Sequence, residues 1–217
     1  MPEQYFTAKP KSRRRPESVS AVLHARTFVF ATDRGVFSRG AIDRGTELLA
    51  LALRLGPGDH VLDLGCGYGV LGIVASSLAP NGRVVMTDVN ERAVELARRN
   101  VHTNAVPHVD VRLGAFYEPV KGERFDAIVT NPPIRAGKEV VFRIVDEAPS
   151  HLRPNGSLWM VARTKQGAKS IEARIAAAFG GSETVDRGSG FRVLRSSPPM
   201  AERGEGRSAS RLSRGSG

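Results

Sequence analysis

Apolar and polar positions along the chain alternate between a period near two and a period near 3.6, in a regular rhythm. Residues 19–32, VSAVLHARTFVFAT, are dense in β-branched and aromatic side chains and predict one or two strands, arranged as a small hairpin. A glycine-bearing loop, TDRGVFSRGAIDRG, leads into TELLALALRL, a helix whose stop is predicted at Gly56-Pro57-Gly58. The apolar run HVLDL at 60–64 enters a glycine-rich turn, and VLGIVASSLA beyond it has helical length and pattern. RVVMTD at 83–88 is the next strand. Asn90 is placed to cap the helix that follows, in which Ala93, Val94, Ala97 and Val101 fall on one face. The units then repeat: DVRL, FDAIVTN, a helix near 138–148, SLWMVART, a helix from about 166 to Phe179, and finally ETV and FRVLRSS. Strands that alternate with helices predict a parallel sheet covered on both faces. The last two strands are joined by DRGSG, a hairpin-type loop, so one of them should run antiparallel at the sheet edge.

The 217 residues are enough for one substantial domain with short extensions, and 41% apolar with 25% charged residues excludes wholesale disorder. Lys plus Arg exceed Asp plus Glu by 32 to 22, a formal charge of +10 that favours a polyanionic partner, nucleic acid first. Residues 1–18 read as a basic arm, 19–197 as the folded domain, and 198–217 as a Ser/Gly/Arg tail too poor in apolar residues to pack. No stretch approaches the ~20 apolar residues of a membrane span, and the first twenty residues lack the apolar core of a secretory signal, so a cytoplasmic location is expected. The single cysteine, Cys66, forbids an intramolecular disulfide or a multi-cysteine zinc site, and beside the glycines it reads as a small apolar filler. Trp159 and Met160 read as core, and His24, His60, His102, His108 and His151 have no ligand spacing, so no metal is expected.

Candidate chemistry concentrates in two loops. Asp63-Leu64-Gly65-Cys66-Gly67-Tyr68-Gly69 sets three alternate glycines at the carboxyl end of the first core strand, where an open α/β sheet binds ligand and backbone can approach a nucleoside. Gly67-x-Gly69-x-x-Gly72 also fits the dinucleotide template. Asp63 argues against it, because a carboxylate there repels a pyrophosphate and attracts the ammonium of an amino-acid moiety. Asp88 ends the second core strand, where its carboxylate can accept both hydroxyls of a ribose in either kind of cofactor. The second loop, Asn131-Pro132-Pro133-Ile134, follows the strand Ala127-Ile128-Val129-Thr130 at the same end of the sheet. Two prolines fix the backbone and remove two amide donors, leaving carbonyl oxygens and the Asn131 side chain as a rigid acceptor set. Such a set suits an exocyclic amine, whose delocalised lone pair must be turned toward an electrophilic methyl.

The glycine loop together with Asn131-Pro132-Pro133-Ile134 resembles the class I S-adenosylmethionine-dependent methyltransferases of the small-domain family that contains the ribosomal small-subunit guanine-N2 methyltransferases. Short single-domain relatives also share Gly35-Val36-Phe37-Ser38, Asp43-Arg44-Gly45-Thr46, Arg135-Ala136-Gly137-Lys138-Glu139 and Thr164-Lys165-Gln166-Gly167-Ala168-Lys169, and the resemblance covers about residues 5–197. It implies a Rossmann-like, doubly wound, mostly parallel seven-stranded α/β sheet preceded by a small hairpin. It implies that Asp63, Gly65 and Gly67 lie along the methionine part of S-adenosylmethionine, that Asp88 holds the ribose, and that Cys66, Val89, Ala115 and Asn131 complete the cofactor contacts. Asn131, Pro132, Pro133 and Ile134 are implied as the catalytic set holding the target amine.

Phe37, Arg135, Lys138 and Lys165 are implied to meet the substrate, with Arg163 and Lys169 as further phosphate contacts. Two departures stand out: Gly114-Ala115-Phe116 replaces the aspartate that relatives use for the adenine amine, and Ile134 replaces the aromatic residue that stacks on the base. Taken together, the resemblance implies a monomeric RNA guanine-N2 methyltransferase acting on ribosomal RNA or a small-subunit particle. A protein-glutamine or small-molecule N-methyltransferase is the first alternative, and an RNA-binding protein with a relic cofactor site the second.

Overall fold

A computed structural model describes residues 17–33, 41–133, 137–165 and 167–197. Strands β1 (Glu17–Leu23) and β2 (Arg26–Thr32) form an antiparallel hairpin. Its two-residue turn puts both His24 and Ala25 at positive φ, and His24 Nε2 donates to the Ala50 carbonyl at 2.8 Å, which anchors that strained turn. Then follow α1 (Arg44–Ala52), β3 (His60–Leu64), α2 (Val70–Leu78), β4 (Arg83–Asp88), α3 (Glu91–Thr103), β5 (Val109–Leu113), β6 (Phe125–Thr130), α4 (Lys138–Glu147), β7 (Leu152–Arg163), α5 (Ala168–Phe179), β8 (Gly181–Gly188) and β9 (Phe191–Ser197).

The seven-stranded sheet has the order β5-β4-β3-β6-β7-β9-β8, parallel from β5 through β7. The antiparallel end expected of it is present: β9 runs against both β7 and β8. Alternation along each buried strand divides the core. Val61, Val84, Met86, Val129, Trp159 and Val161 face α1, α2, α3 and the hairpin, whereas Leu62, Val85, Ile128, Leu158 and Met160 face α4 and α5. From β3 the chain winds one way to β4 and β5, then returns to β6 on the other side. The carboxyl ends of β3 and β6 therefore flank the switch point at which doubly wound sheets bind ligands.

Several boundaries differ from the sequence expectation, for local reasons. Helix α1 begins two residues earlier than Thr46, because Asp43 Oδ2 accepts from the Gly45 and Thr46 amides at 2.9 and 3.2 Å. It ends at Ala52 rather than running to Gly56. Leu53 turns extended and buries its side chain, and the Arg54 guanidinium donates to the Leu51 and Leu53 carbonyls. In β7, residues 153–156 bulge between Leu152 and Ser157, so regular pairing with β6 starts at the expected Ser157. The β8–β9 turn shrinks to Ser189-Gly190, both at positive φ, which lengthens β8 well beyond ETV.

The hairpin is fastened to α3 by two asparagines one turn apart. Asn100 accepts from the Ala31 amide and donates to the Ala31 and Tyr68 carbonyls, while Asn104 exchanges hydrogen bonds with the Val29 amide and carbonyl. These carboxamides stand in for a third strand along β2. Asn104→Ala leaves the Val29 amide and carbonyl without that partner and is expected to cost about 1 to 2 kcal/mol, read as a lower urea midpoint with an unchanged slope.

Candidate functional site

The glycine loop leaves β3 and folds back under β4. The Gly65 and Cys66 amides both donate to the Thr87 carbonyl, at 2.8 and 2.9 Å, and the Gly67 amide donates to Asp88 Oδ2 at 2.9 Å. Gly65 has φ +74 and is exposed, and a Cβ built there meets nothing within 4 Å, so the loop presents bare backbone to open space. Gly72 serves packing instead: a Cβ there would lie 2.6 Å from Met86 Cγ, so only glycine lets α2 sit this close to β4. Across the switch point, Thr130 Oγ1 donates to the Leu64 carbonyl at 2.8 Å and locks the end of β6 to the end of β3.

Two carboxyl groups are buried beneath this loop. Asp63 Oδ2 accepts from the Gly72 amide at 2.8 Å, while Oδ1 is buried without a hydrogen-bond partner. Burial, opposed by the Gly72 amide and reinforced by the Asp88 charge, pushes Asp63 from the ordinary 3.8 up to about 7. Asp88 is also raised by burial, against the pull of the Asn90, Gly67 and Val89 amides. Its two oxygens accept from Gly67 and Asn90, yet a carboxylate has about four lone-pair sites, so acceptor capacity remains. Burial and then the two carboxylates push the Cys66 thiol up, which keeps it protonated and agrees with its reading as filler.

Asn131 sits half-buried where β6 ends. Its Nδ2 donates to Asp43 Oδ2 at 3.1 Å and to Thr46 Oγ1 at 2.8 Å, so both amide hydrogens are committed to the start of α1. Among the described residues Oδ1 accepts nothing. Pro132 and Pro133 offer no N–H, so the β6 end faces the crevice with acceptors. A cavity lined by Thr46, Gly65, Cys66, Gly67, Tyr68, Val70, Leu71 and Asn131 joins the two loops.

Of the residues singled out from sequence, the structure brings Gly65, Cys66, Gly67 and Asn131 to one cavity, with Asp63 and Asp88 hydrogen-bonded to the backbone of the loop and of α2 behind it. Val89 and Ala115 are half-buried at the adjacent ends of β4 and β5, tied together by the Gly114 amide on the Asp88 carbonyl at 2.9 Å. Lys138 and Lys165 are exposed, as are Arg163 and Lys169. A Cβ at Gly167 would come within 3.8 Å of Lys138 Cε, which sets the first turns of α4 and α5 side by side. Phe37, Ile134 and Arg135 lie outside the described residues.

Sequence reasoning assigned no role to Asp43, Thr46 or Tyr68. The first two carried a readable signal, an acidic residue poised to cap a helix, but no sequence pattern shows that the capped end meets Asn131. Tyr68 is buried, packs edge-on to Phe30 at 5.9 Å and lines the cavity.

The model of the family described as methyltransferase small domain matches residues 27–195. Uncharacterized protein YbxB of Bacillus subtilis (strain 168) is 35% identical over 197 residues, 90% of this chain and 98% of that protein. Ribosomal RNA small subunit methyltransferase C of Pseudomonas aeruginosa (strain UCBPP-PA14) is 36% identical over 164 residues, 73% of this chain and 48% of its own length. Among solved structures, the T. thermophilus 16S rRNA N2 G1207 methyltransferase (RsmC), in complex with AdoMet and guanosine, superposes with a TM-score of 0.74 at 30% identity. That match covers 86% of this chain and 51% of the neighbour, so the chain spans about half the length of the ribosomal RNA methyltransferases it matches. The strand order, the glycine loop at the switch point and the Asn-Pro-Pro turn facing it thus coincide with a family match over most of the sequence, and the chain belongs to the methyltransferase small-domain family.

Proposed function

We propose that the chain is an S-adenosylmethionine-dependent N-methyltransferase whose target is the exocyclic N2 amine of guanine in RNA, with small-subunit ribosomal RNA as the substrate. The observation that carries this reading is the acceptor set at the end of β6. Asn131 has spent both amide hydrogens on Asp43 and Thr46, its oxygen is open, and two prolines exclude competing donors. The similarity to the small subunit methyltransferases C and to the guanosine-bound neighbour supports guanine in ribosomal RNA as the carrier of that amine.

The residues present fit the cofactor. Exposed Gly65 leaves room for its methionine part, the partnerless Asp63 Oδ1 suits its ammonium, and Asp88 has lone pairs left for ribose hydroxyls. When bound, S-adenosylmethionine supplies a methyl group on a sulfonium, and the C–S electron pair stays with sulfur as the methyl–nitrogen bond forms. The chain's own part is to hold and orient. Asn131 Oδ1 and the Pro132 carbonyl accept the two amine hydrogens, which turns the nitrogen lone pair toward the methyl and releases the surplus proton to water. Orientation of this kind can account for up to ~7 to 11 kcal/mol of barrier lowering. Exposed Lys138 and Lys165 beside the same sheet end serve as phosphate contacts that position RNA.

Radiolabelled methyl transfer to unmethylated 16S rRNA transcribed in vitro, followed by nucleoside digestion and mass spectrometry, tests the assignment. N2-methylguanosine is the expected product. Label in protein fractions with none in RNA would overturn the substrate, and an absence of cofactor binding by calorimetry would overturn the activity. For the cofactor side, Asp88→Ala is expected to raise the cofactor dissociation constant at least tenfold, since charge-assisted hydrogen bonds contribute ~1.5 to 3 kcal/mol each and the Gly67 amide also loses its anchor. An unchanged constant would move the ribose elsewhere.

A further inference from the structure

We propose that Asp43 and Thr46 are positioning residues that clamp the Asn131 carboxamide with its oxygen toward the crevice, so that the site accepts a target only through an N–H donor. The inference rests on the reading of the chain as an exocyclic-amine methyltransferase and names the residues that prepare its acceptor.

A carboxamide offers an acceptor oxygen at one end and an NH2 donor at the other. Rotated half a turn about its last bond, Asn131 would present its NH2 group to the crevice, where it would oppose the hydrogens of a target amine. The neighbourhood forbids that state. An Asp43 carboxylate has no proton to give, so the end of the amide that meets it is the nitrogen, at 3.1 Å. The second amide hydrogen goes to Thr46 Oγ1 at 2.8 Å. Two hydrogens meet two acceptors, and only the oxygen is left for a ligand.

Asp43 is itself fixed, because the same Oδ2 accepts from the Gly45 and Thr46 amides at the start of α1, where the helix end favours a negative charge. The clamp is thus wired to backbone from a distant part of the chain, α1, onto the loop after β6. It also supplies discrimination. The N2 amine and N1–H of guanine are donors, whereas O6, N3 and N7 are acceptors, and an oxygen-only Asn131 pairs with the donors and repels the acceptors.

Asp43→Asn separates this role from that of a helix cap. Asn caps a helix start about as well as Asp, so α1 is retained, but its own carboxamide can meet either end of Asn131 and the obligation is lost. With unmethylated 16S rRNA and radiolabelled cofactor, Asp43→Asn is expected to lower kcat about tenfold or more while the cofactor dissociation constant stays within about twofold and the Tm is unchanged. Thr46→Val should act in the same direction, and Thr46→Ser should restore most of the loss. In an Asn131→Ala background, Asp43→Asn should add nothing further to the kcat effect. Loss of Tm with kcat intact, or a kcat loss that adds fully to that of Asn131→Ala, would overturn the proposal.

The clamp is also read without substrate. The side-chain NH2 pair of Asn131 in a 15N–1H spectrum, identified by its absence in Asn131→Ala, is expected to be protected from solvent exchange in the wild type and unprotected in Asp43→Asn. A solvent-like pair in the wild type would overturn the clamp. Protection without methyl transfer to rRNA would leave the clamp standing and overturn the substrate assignment alone.

Discussion

Asn131→Ala is expected to lower kcat about 10²-fold, the size seen when a preorganised transition-state hydrogen-bonding group is removed, while cofactor affinity stays within about twofold. The reason lies in what each partner of Asn131 can and cannot replace. With the carboxamide gone, the Pro132 carbonyl remains, so one amine hydrogen is still held and the nitrogen lone pair is free to rotate about that single contact. The residues proposed to hold the cofactor, Gly65, Asp63 and Asp88, lie on the β3 and β4 side of the crevice, and none of them hydrogen-bonds Asn131. Asn131→Asp sharpens the test. It keeps an acceptor oxygen but sets a second carboxylate against Asp43, so partial activity that rises as the pH falls is expected. Full turnover by Asn131→Ala on rRNA would remove the amine from this loop.

The second large effect is a pH dependence set by Asp63. Its folded-state value of about 7 lies above the ordinary 3.8, so between those two values the folded protein keeps a proton that the unfolded chain has released. Folding stability contributed by this group is therefore fully present below about 4, falls as the pH rises toward 7, and is flat beyond. Cofactor binding runs the other way. An ammonium placed against Asp63 Oδ1 needs the carboxylate, so below pH 7 the apparent dissociation constant is expected to rise towards tenfold per pH unit, about 50-fold between pH 7 and pH 5.

Asp88 is the titratable group whose charge acts on Asp63, so the measurement is the difference between the wild type and Asp63→Asn. The variant should lose both slopes and gain stability at neutral pH. Parallel pH profiles for the two proteins would show that Asp63 does not take the ammonium.

The two halves of the candidate site were unequally legible in the sequence. Both loops could be read because their chemistry is local: three alternate glycines after an apolar strand, and Asn-Pro-Pro after another, each specify a backbone before any tertiary contact exists. Parallel topology then brings the two strand ends together, which the strand–helix rhythm already implied. Asp63 and Asp88 were legible as carboxylates but not as buried ones, because burial comes from α2 lying against β4, where Gly72 meets Met86. Asn100 and Asn104 fall on the same helix face as Ala93 and Ala97, but their pairing with the edge of β2 appears only once the hairpin is docked. Asp43 read as loop, because the helical pattern begins at Thr46 and the cap lies outside the periodic signal. Its contact with Asn131 joins residues far apart in sequence, and hydrophobic periodicity carries no information about which helix start meets which strand end.

The packing of α1 has a consequence for the order in which the protein becomes competent. A Cβ on Gly45 would lie 2.8 Å from the Phe191 ring, so the helix start that carries Asp43 rests directly on β9, and α1 also packs against β7 and β8. A chain leaving the ribosome makes α1 early and must wait for its last strands before that helix has a floor. Until then Asp43 has no fixed position and Asn131 no clamp, even though the glycine loop and the Asn-Pro-Pro turn have both been synthesised. The strands made last, β8 and β9, are thus a precondition for seating the helix start that meets Asn131, although they carry no residue of either loop.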